Sequence, residues 1–191
     1  MEMIMNFISQ YKIIIIIIVL IIILMTYYNI MRIKHNNVKN AFSTLDIMLK
    51  KRYDLVPNLV NTVKGYMKHE KETLTLAIKL RNMVTVASNE KEFFEINNNL
   101  EDILSKINFL AESYPNLKAD EHFLDLQRTM YDIEENISAA RRTYNAHVTD
   151  YNNFIMIFPN SIISKLFLLK ELPLFTISNK ERKGKIWYNE K

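Results

Sequence analysis

The run Ile13–Met25, IIIIIIVLIIILM, constrains this chain more than any other feature. It is aliphatic up to its closing methionine, so a helix built on it has no polar face. A helix that is apolar all round must be surrounded by protein core or by lipid. With Tyr11 before it and Thr26, Tyr27 and Tyr28 after it, the apolar segment reaches about 18–20 residues, enough to cross a hydrocarbon layer of ~30 Å. Tyrosines at both ends suit the aromatic belts of a bilayer. A cleavable signal peptide has an apolar region of about 7–15 residues that ends at small residues. Here Tyr27, Tyr28 and Asn29 follow instead. The segment therefore reads as an uncleaved anchor over residues 11–30, preceded by a short N-terminal segment, 1–10. Glu2 and Lys12 precede the span, and Arg32, Lys34, His35 and Lys39 follow it. The positive-inside bias puts the N-terminus outside and the remainder of the chain in the cytoplasm.

Beyond the anchor, composition favours long helices. The whole chain holds two glycines and four prolines in 191 residues, so turns are scarce. It has no cysteine, which removes disulfides, thiolate metal sites and thiol catalysis. The formal net charge of +4 is modest, and acids are interleaved with the bases. That balance gives no reason to expect nucleic acid as a partner.

The periodicity predicts an all-α fold: the anchor followed by a long antiparallel four-helix, coiled-coil-like bundle over residues 31–175. A first helix continues from the anchor to about Arg52 on a three-four seam of Val38, Phe42, Leu45 and Leu49. Asp54 reads as an N-cap and Pro57 as a first-turn proline. Asp54–Pro57 is then a tight corner, and a second helix folds back to about Ala87 through Leu59, Val63, Tyr66, Leu74, Ala77, Leu80 and Val84. Gly65 would lie inside that helix, and its use there suggests close approach by a neighbour. Asn89 and Glu92 have capping-box spacing and open a third helix that ends near Tyr114, before Pro115. The fourth helix carries a heptad: Phe123, Met130, Ile137, Tyr144, Tyr151 and Phe158 in one row, Leu126, Ile133, Ala140, His147 and Phe154 in the other. Pro159 ends it. Asn160 or Ser161 caps a short amphipathic helix, and the chain is extended after Leu172-Pro173. Residues 176–191 form a basic tail expected to be disordered.

Chemistry is hard to find. A di-iron bundle needs Glu-x-x-His pairs, and no glutamate has a histidine three residues on. His69-Glu70 starts like a zinc motif, but position 73 is threonine. Phosphate loops need more glycine than this. No catalytic, metal-binding or cofactor-binding residues emerge, no cofactor is implied, and the chain reads as a non-enzyme. The charged cluster Lys50, Lys51, Arg52 and Asp54 reads first as a solvated corner. Asn58, Asn61, Asn145 and Asn152, repeated on two helices, read first as a polar layer that fixes helix register.

The run LDIMLKKRYDLVPNLVNTVKGYMKHEKE and the later ARRTYNAHVTDYNNFIMIFPNSIISKLF resemble the two signature blocks of the LemA family of membrane-anchored bacterial proteins. The likeness is collinear from about Tyr28 to Phe175. It implies one N-terminal membrane helix and a long helical bundle, and it supplies no catalytic residues. It also implies that the corner and its neighbours could form a docking surface. The candidates are Asp46, Lys50, Arg52, Asp54, Pro57, Asn58, Lys64, Gly65, His69 and Glu70, with Arg141, Asn145 and Asn152 from the second block.

Three functions follow as expectations. The first is a single-pass scaffold or adaptor that binds membrane or membrane-proximal proteins, with homo-oligomerisation open, and touches the bilayer through residues 11–30. The second is a lipid-surface or membrane-remodelling protein that uses the short helix near Ser161–Leu169, Lys165, Lys170 and the basic tail. The third, a residual, is an enzyme whose site a partner completes.

Overall fold

The computed structural model describes residues 2–176, with side chains from Tyr11 onward. Among the described residues every regular element is an α-helix: α1 Glu2–Val63, α2 Lys71–Val84, α3 Glu90–Ala111, α4 Pro115–Lys118, α5 Glu121–Met156 and α6 Asn160–Leu166. An extended segment follows to Thr176. Of the tail expected to be disordered, 176–191, only Thr176 is described, and residues 177–191 lie outside the described residues.

Helix α1 corrects the expected corner. It continues through Asp54 and Pro57 to Val63, so Asp54 is no N-cap and Pro57 sits inside the helix. Leu45 and Val63 therefore lie on one helix and do not face each other. An interior proline removes a hydrogen bond and costs about 3 kcal/mol. Burial on both sides of it offsets that cost. Leu45, Leu49, Arg52, Val56, Leu59 and Val63 are all inside, at an unbroken three-four spacing through Pro57. The reversal comes later, at residues 64–70. There Tyr66 and Met67 donate to the Val63 carbonyl, and Met67 plugs the turn, fully buried. Gly65 belongs to this turn, and a Cβ built on it meets nothing within 4 Å, so no neighbour approaches closely.

The second helix is correspondingly shorter, but its seam is the expected one: Leu74, Ala77, Leu80 and Val84 are buried. Asn89 caps α3 by accepting from the Glu92 N–H, while the Glu92 carboxylate accepts from the Ser88 N–H, one residue earlier than in a standard capping box. Helix α3 ends at Ala111, and Pro115 starts the single turn α4. At the start of α5, Asp120 accepts from the Phe123 N–H and from the Tyr66 hydroxyl. Helix α6 begins behind Pro159 with no side-chain cap, unlike the expected Asn160 or Ser161 cap.

Helix α5 keeps one heptad row up to Tyr151, while the other, buried at Ala140, shifts by one position toward its end. Phe123, Ile137, Tyr144 and Tyr151 are buried, but Val148 and Ile155 replace His147 and Phe154 inside. A straight helix drifts about 20° per heptad, which moves the second row by one position over this length. Phe158 lies beyond the helix end and is exposed.

The chain divides into two compact units. One contains the residues up to Asn40 with His147–Leu172, and the other Ala41–Ala146 with the segment from Pro173. In the first, Ile13–Ile23 are 41–66% exposed, and the buried face of α1 begins only at Tyr27 and Met31. The N-terminal helix holds an 18-residue window of mean hydropathy 2.9, long and apolar enough to cross a membrane. In the second unit the later part of α1 packs with α2, α3 and the first part of α5 as a helical bundle, around Phe42, Phe94 and Tyr144 near one end.

Candidate functional site: a ring of four charges around a buried arginine

The most unusual place in the bundle lies where the α1 seam reaches Arg52. At that position the three-four spacing leaves no choice of face, and the side chain is 1% exposed. A buried guanidinium needs acceptors, and neighbouring helices supply them. Arg52 Nη1 meets Glu134 on α5 at 3.2 Å and Glu101 on α3 at 3.8 Å. Its Nη2 donates to the Asn97 carbonyl at 3.3 Å and to Asn97 Oδ1 at 3.1 Å. Arg141, also on α5, meets Glu101 at 3.0 Å and Glu134 at 3.9 Å. The four charges alternate in sign around a closed ring: Arg52, Glu101, Arg141, Glu134. Helical spacing makes this possible. Asn97 and Glu101 are one turn apart on α3, and Glu134 and Arg141 two turns apart on α5, so each pair shares a face.

The ring has a supporting layer. The Tyr53 hydroxyl donates to Asn97 Oδ1, and Asn97 Nδ2 donates to the Phe93 carbonyl. Burial pushes the Tyr53 phenol well above its ordinary value, so it stays a donor. The Phe175 ring lies under the Arg141 guanidinium, 4.7 Å from centroid to Cζ. Burial pushes the Glu134 carboxyl up, against the pull of Arg52 and with help from the neighbouring Glu101 charge. The Nε atoms of Arg52 and Arg141 are buried and find no partner within the protein. Glu101 and Glu134 also form one wall of a groove of about 500 Å³, shared with Ser105, Asn108, Gln127 and Tyr131. Both carboxylates are engaged by guanidinium groups, so the chemistry available here is the fixing of three helices in one register.

The candidate residues read from sequence do not converge on one surface. Asp46, Lys50 and Asp54 line a shallow hollow of about 300 Å³ with Tyr53, Arg81 and Thr85. Lys50 and Asp54 pair across one turn at 3.3 Å, both exposed. Arg52, from the same cluster, turns inward and joins Arg141. Asn58 is exposed, and Pro57 is half-buried within α1. Lys64 donates to Asn61, and Gly65, His69 and Glu70 belong to the turn before α2. Glu101, Glu134, Asn97 and Tyr53 were not among the candidates. The available signal was Arg52 at a seam position, since a buried arginine demands acids from neighbouring helices.

Asn145 and Asn152 do something else again. Instead of a layer between helices, each grips the main chain of the extended segment with both ends of its amide. In the bundle unit Asn145 donates to the Phe175 carbonyl at 3.0 Å and accepts from its N–H at 2.9 Å. Tyr144 donates to the Pro173 carbonyl and Asn98 to the Thr176 carbonyl. Phe175 stacks on Phe94 at 4.4 Å between ring centroids. In the other unit Asn152 holds Leu172 in the same two-bond way, at 2.9 Å for each bond.

Together these features define a class: an all-α protein whose first helix carries a bilayer-length apolar stretch and continues into a helical bundle that holds a buried arginine in a ring of charges. Residues 41–186 match the model of the LemA family, and the chain belongs to that family. It is similar to Protein LemA of Metamycoplasma hominis, with 27% identity over 148 residues that cover 77% of this chain and 68% of that protein.

Proposed function

We propose that the chain is a single-pass, membrane-anchored adaptor that works through protein contacts and carries no catalysis of its own. The observation behind this reading is the ring: a buried arginine and three partly buried charges neutralise one another and tie α1, α3 and α5 together. A tie of that kind suits a display surface held at a membrane by the apolar start of α1. The bundle faces the cytoplasm, a reading supported by Arg32, Lys34 and Lys39 just after the span. In-cell crosslinking with mass spectrometry on the full chain tests the adaptor role. Recurrent neighbours that disappear with Arg52→Ala are expected, and a neighbour set no different from that of an unrelated protein on the same anchor overturns the reading. Orientation is tested on Lys39→Cys, in a chain otherwise free of cysteine. An impermeant thiol reagent on intact cells should leave it unlabelled.

A further inference from the structure

Helix α6 and the turn before it expose apolar side chains that a protein in water would cover. Ile157, Phe158, Ile162, Leu166 and Leu168 are 61–82% exposed. Contiguous apolar patches larger than a few hundred Å² are rare on soluble proteins and mark interaction sites. What covers this patch follows from where it is held. The end of α5 runs antiparallel to α1 within one unit: Asp150 pairs with Lys34 at 2.7 Å, Tyr151 packs on His35, and Phe154 stacks on Tyr27. Each step along α5 therefore moves toward the aliphatic stretch of α1. Past Phe154 the chain reaches Ile157 and Phe158, and α6 is then fixed by a buried hydrogen bond between Ser164 Oγ and the Tyr27 hydroxyl. Tyr27 lies two residues beyond the run Ile13–Met25. The exposed apolar patch is thus level with the end of a bilayer-length apolar span and continuous with it.

We infer that α6 and the preceding turn form a second membrane-contacting element, with the outer face of α6 set into the acyl–headgroup boundary beside the anchor. This rests on the reading of α1 as an anchor and adds a ligand class that the adaptor role does not supply: bilayer lipid bound side-on by a short docked helix. Lys165 and Lys170, both exposed, fit such a placement, since lysine stems lie along apolar surface while their charges reach headgroups. Two contacts, one spanning and one lying flat, would also hold this unit at one angle to the membrane, where a single helix leaves it free to tilt and spin.

The absence of native cysteine makes the test direct. Single variants Ile162→Cys and Leu166→Cys of the full chain, each with a nitroxide label, are placed in phosphatidylcholine–phosphatidylglycerol vesicles. Collision with oxygen, which concentrates in lipid, is compared with collision with a water-soluble nickel chelate. Ile18→Cys reports the anchor and Glu135→Cys an exposed position on the bundle. High oxygen and low nickel access at 162 and 166, as at 18 and opposite to 135, is expected. Nickel access at 162 and 166 equal to that at 135 overturns the inference while leaving the anchor intact. Loss of access to both reagents means protein covers the patch, which also overturns it. Water exposure at 18 instead defeats the anchor reading itself.

Discussion

Lys34–Asp150 and Arg52–Glu134 are both ion pairs between α1 and α5, each within its own unit, and the closer pair is the more exposed one. Lys34 and Asp150 meet at 2.7 Å with side chains 24% and 55% exposed. Arg52 and Glu134 are 3.2 Å apart, with the arginine 1% and the glutamate 39% exposed, so only the cation is buried. Water around the first pair screens the attraction and would solvate either partner left alone. Around Arg52 there is little water to take over, so a missing partner leaves a charge stranded in low dielectric. Burial of the cation, rather than distance, should therefore rank the two contacts.

The sharpest way to break this comparison is Arg52→Ala, which leaves two carboxylates sharing Arg141 and takes from Asn97 the donor to its carbonyl and one donor to its Oδ1. Removing one member of a fully buried pair costs about 3–5 kcal/mol, and because Glu101 and Glu134 keep some water the loss here should fall at the lower end. Denaturant titration of the full chain in detergent should show a loss of that size, and a change below ~1 kcal/mol would mean the ring is solvated after all. Asn97→Ala takes away the acceptor shared by Arg52 and Tyr53 and should cost about 1–3 kcal/mol in the same titration. Third is a pH effect at Glu134. Its folded-state pKa is raised, so its contribution is full at acid pH and is lost as pH rises through the raised value. Glu134→Gln should flatten that part of the stability–pH curve, which an unchanged slope would contradict. The exposed Asp120 has the opposite sign: its carboxyl is held low by the Phe123 N–H and the Tyr66 hydroxyl, so its share disappears only as pH falls through the lowered value. Asp150→Asn should cost about 0–1 kcal/mol, and a difference that survives 1 M salt would place that pair with the buried ones. Asp54→Asn, which removes the exposed one-turn pair with Lys50, should cost least, about 0.3–0.5 kcal/mol.

Much of the fold was legible in the sequence because apolar spacing is a local property. The α3 cap at Asn89, the α2 seam and the kept row of α5 could be read from residue types at fixed offsets. The end of α1 could not, because a strong local breaker at Pro57 was weighed above a seam that passes straight through it. Counting on from Leu49 in threes and fours reaches Arg52, Val56, Leu59 and Val63. The arginine interrupted that count because a charge was assumed to face water. The ring stayed hidden for a related reason. Glu101 and Glu134 are separated from Arg52 by 49 and 82 residues in sequence, and nothing local says which helix faces which. Asn145 and Asn152 were recognised as meaningful, but two-ended amides serve a helix seam and an extended backbone equally well, and the sequence around them does not choose.

The asparagine clamps carry a consequence for how such a chain tolerates change. An amide that grips N–H and C=O reads only what every residue except proline possesses. The holder is thereby specified and the held is largely free. Leu172 can drift to almost any residue that keeps its N–H. Asn145 and Asn152 cannot drift, because no other uncharged side chain of that length offers a donor and an acceptor side by side. Among the held residues only Phe175, wedged between Phe94 and Arg141, has an identity that matters to its seat.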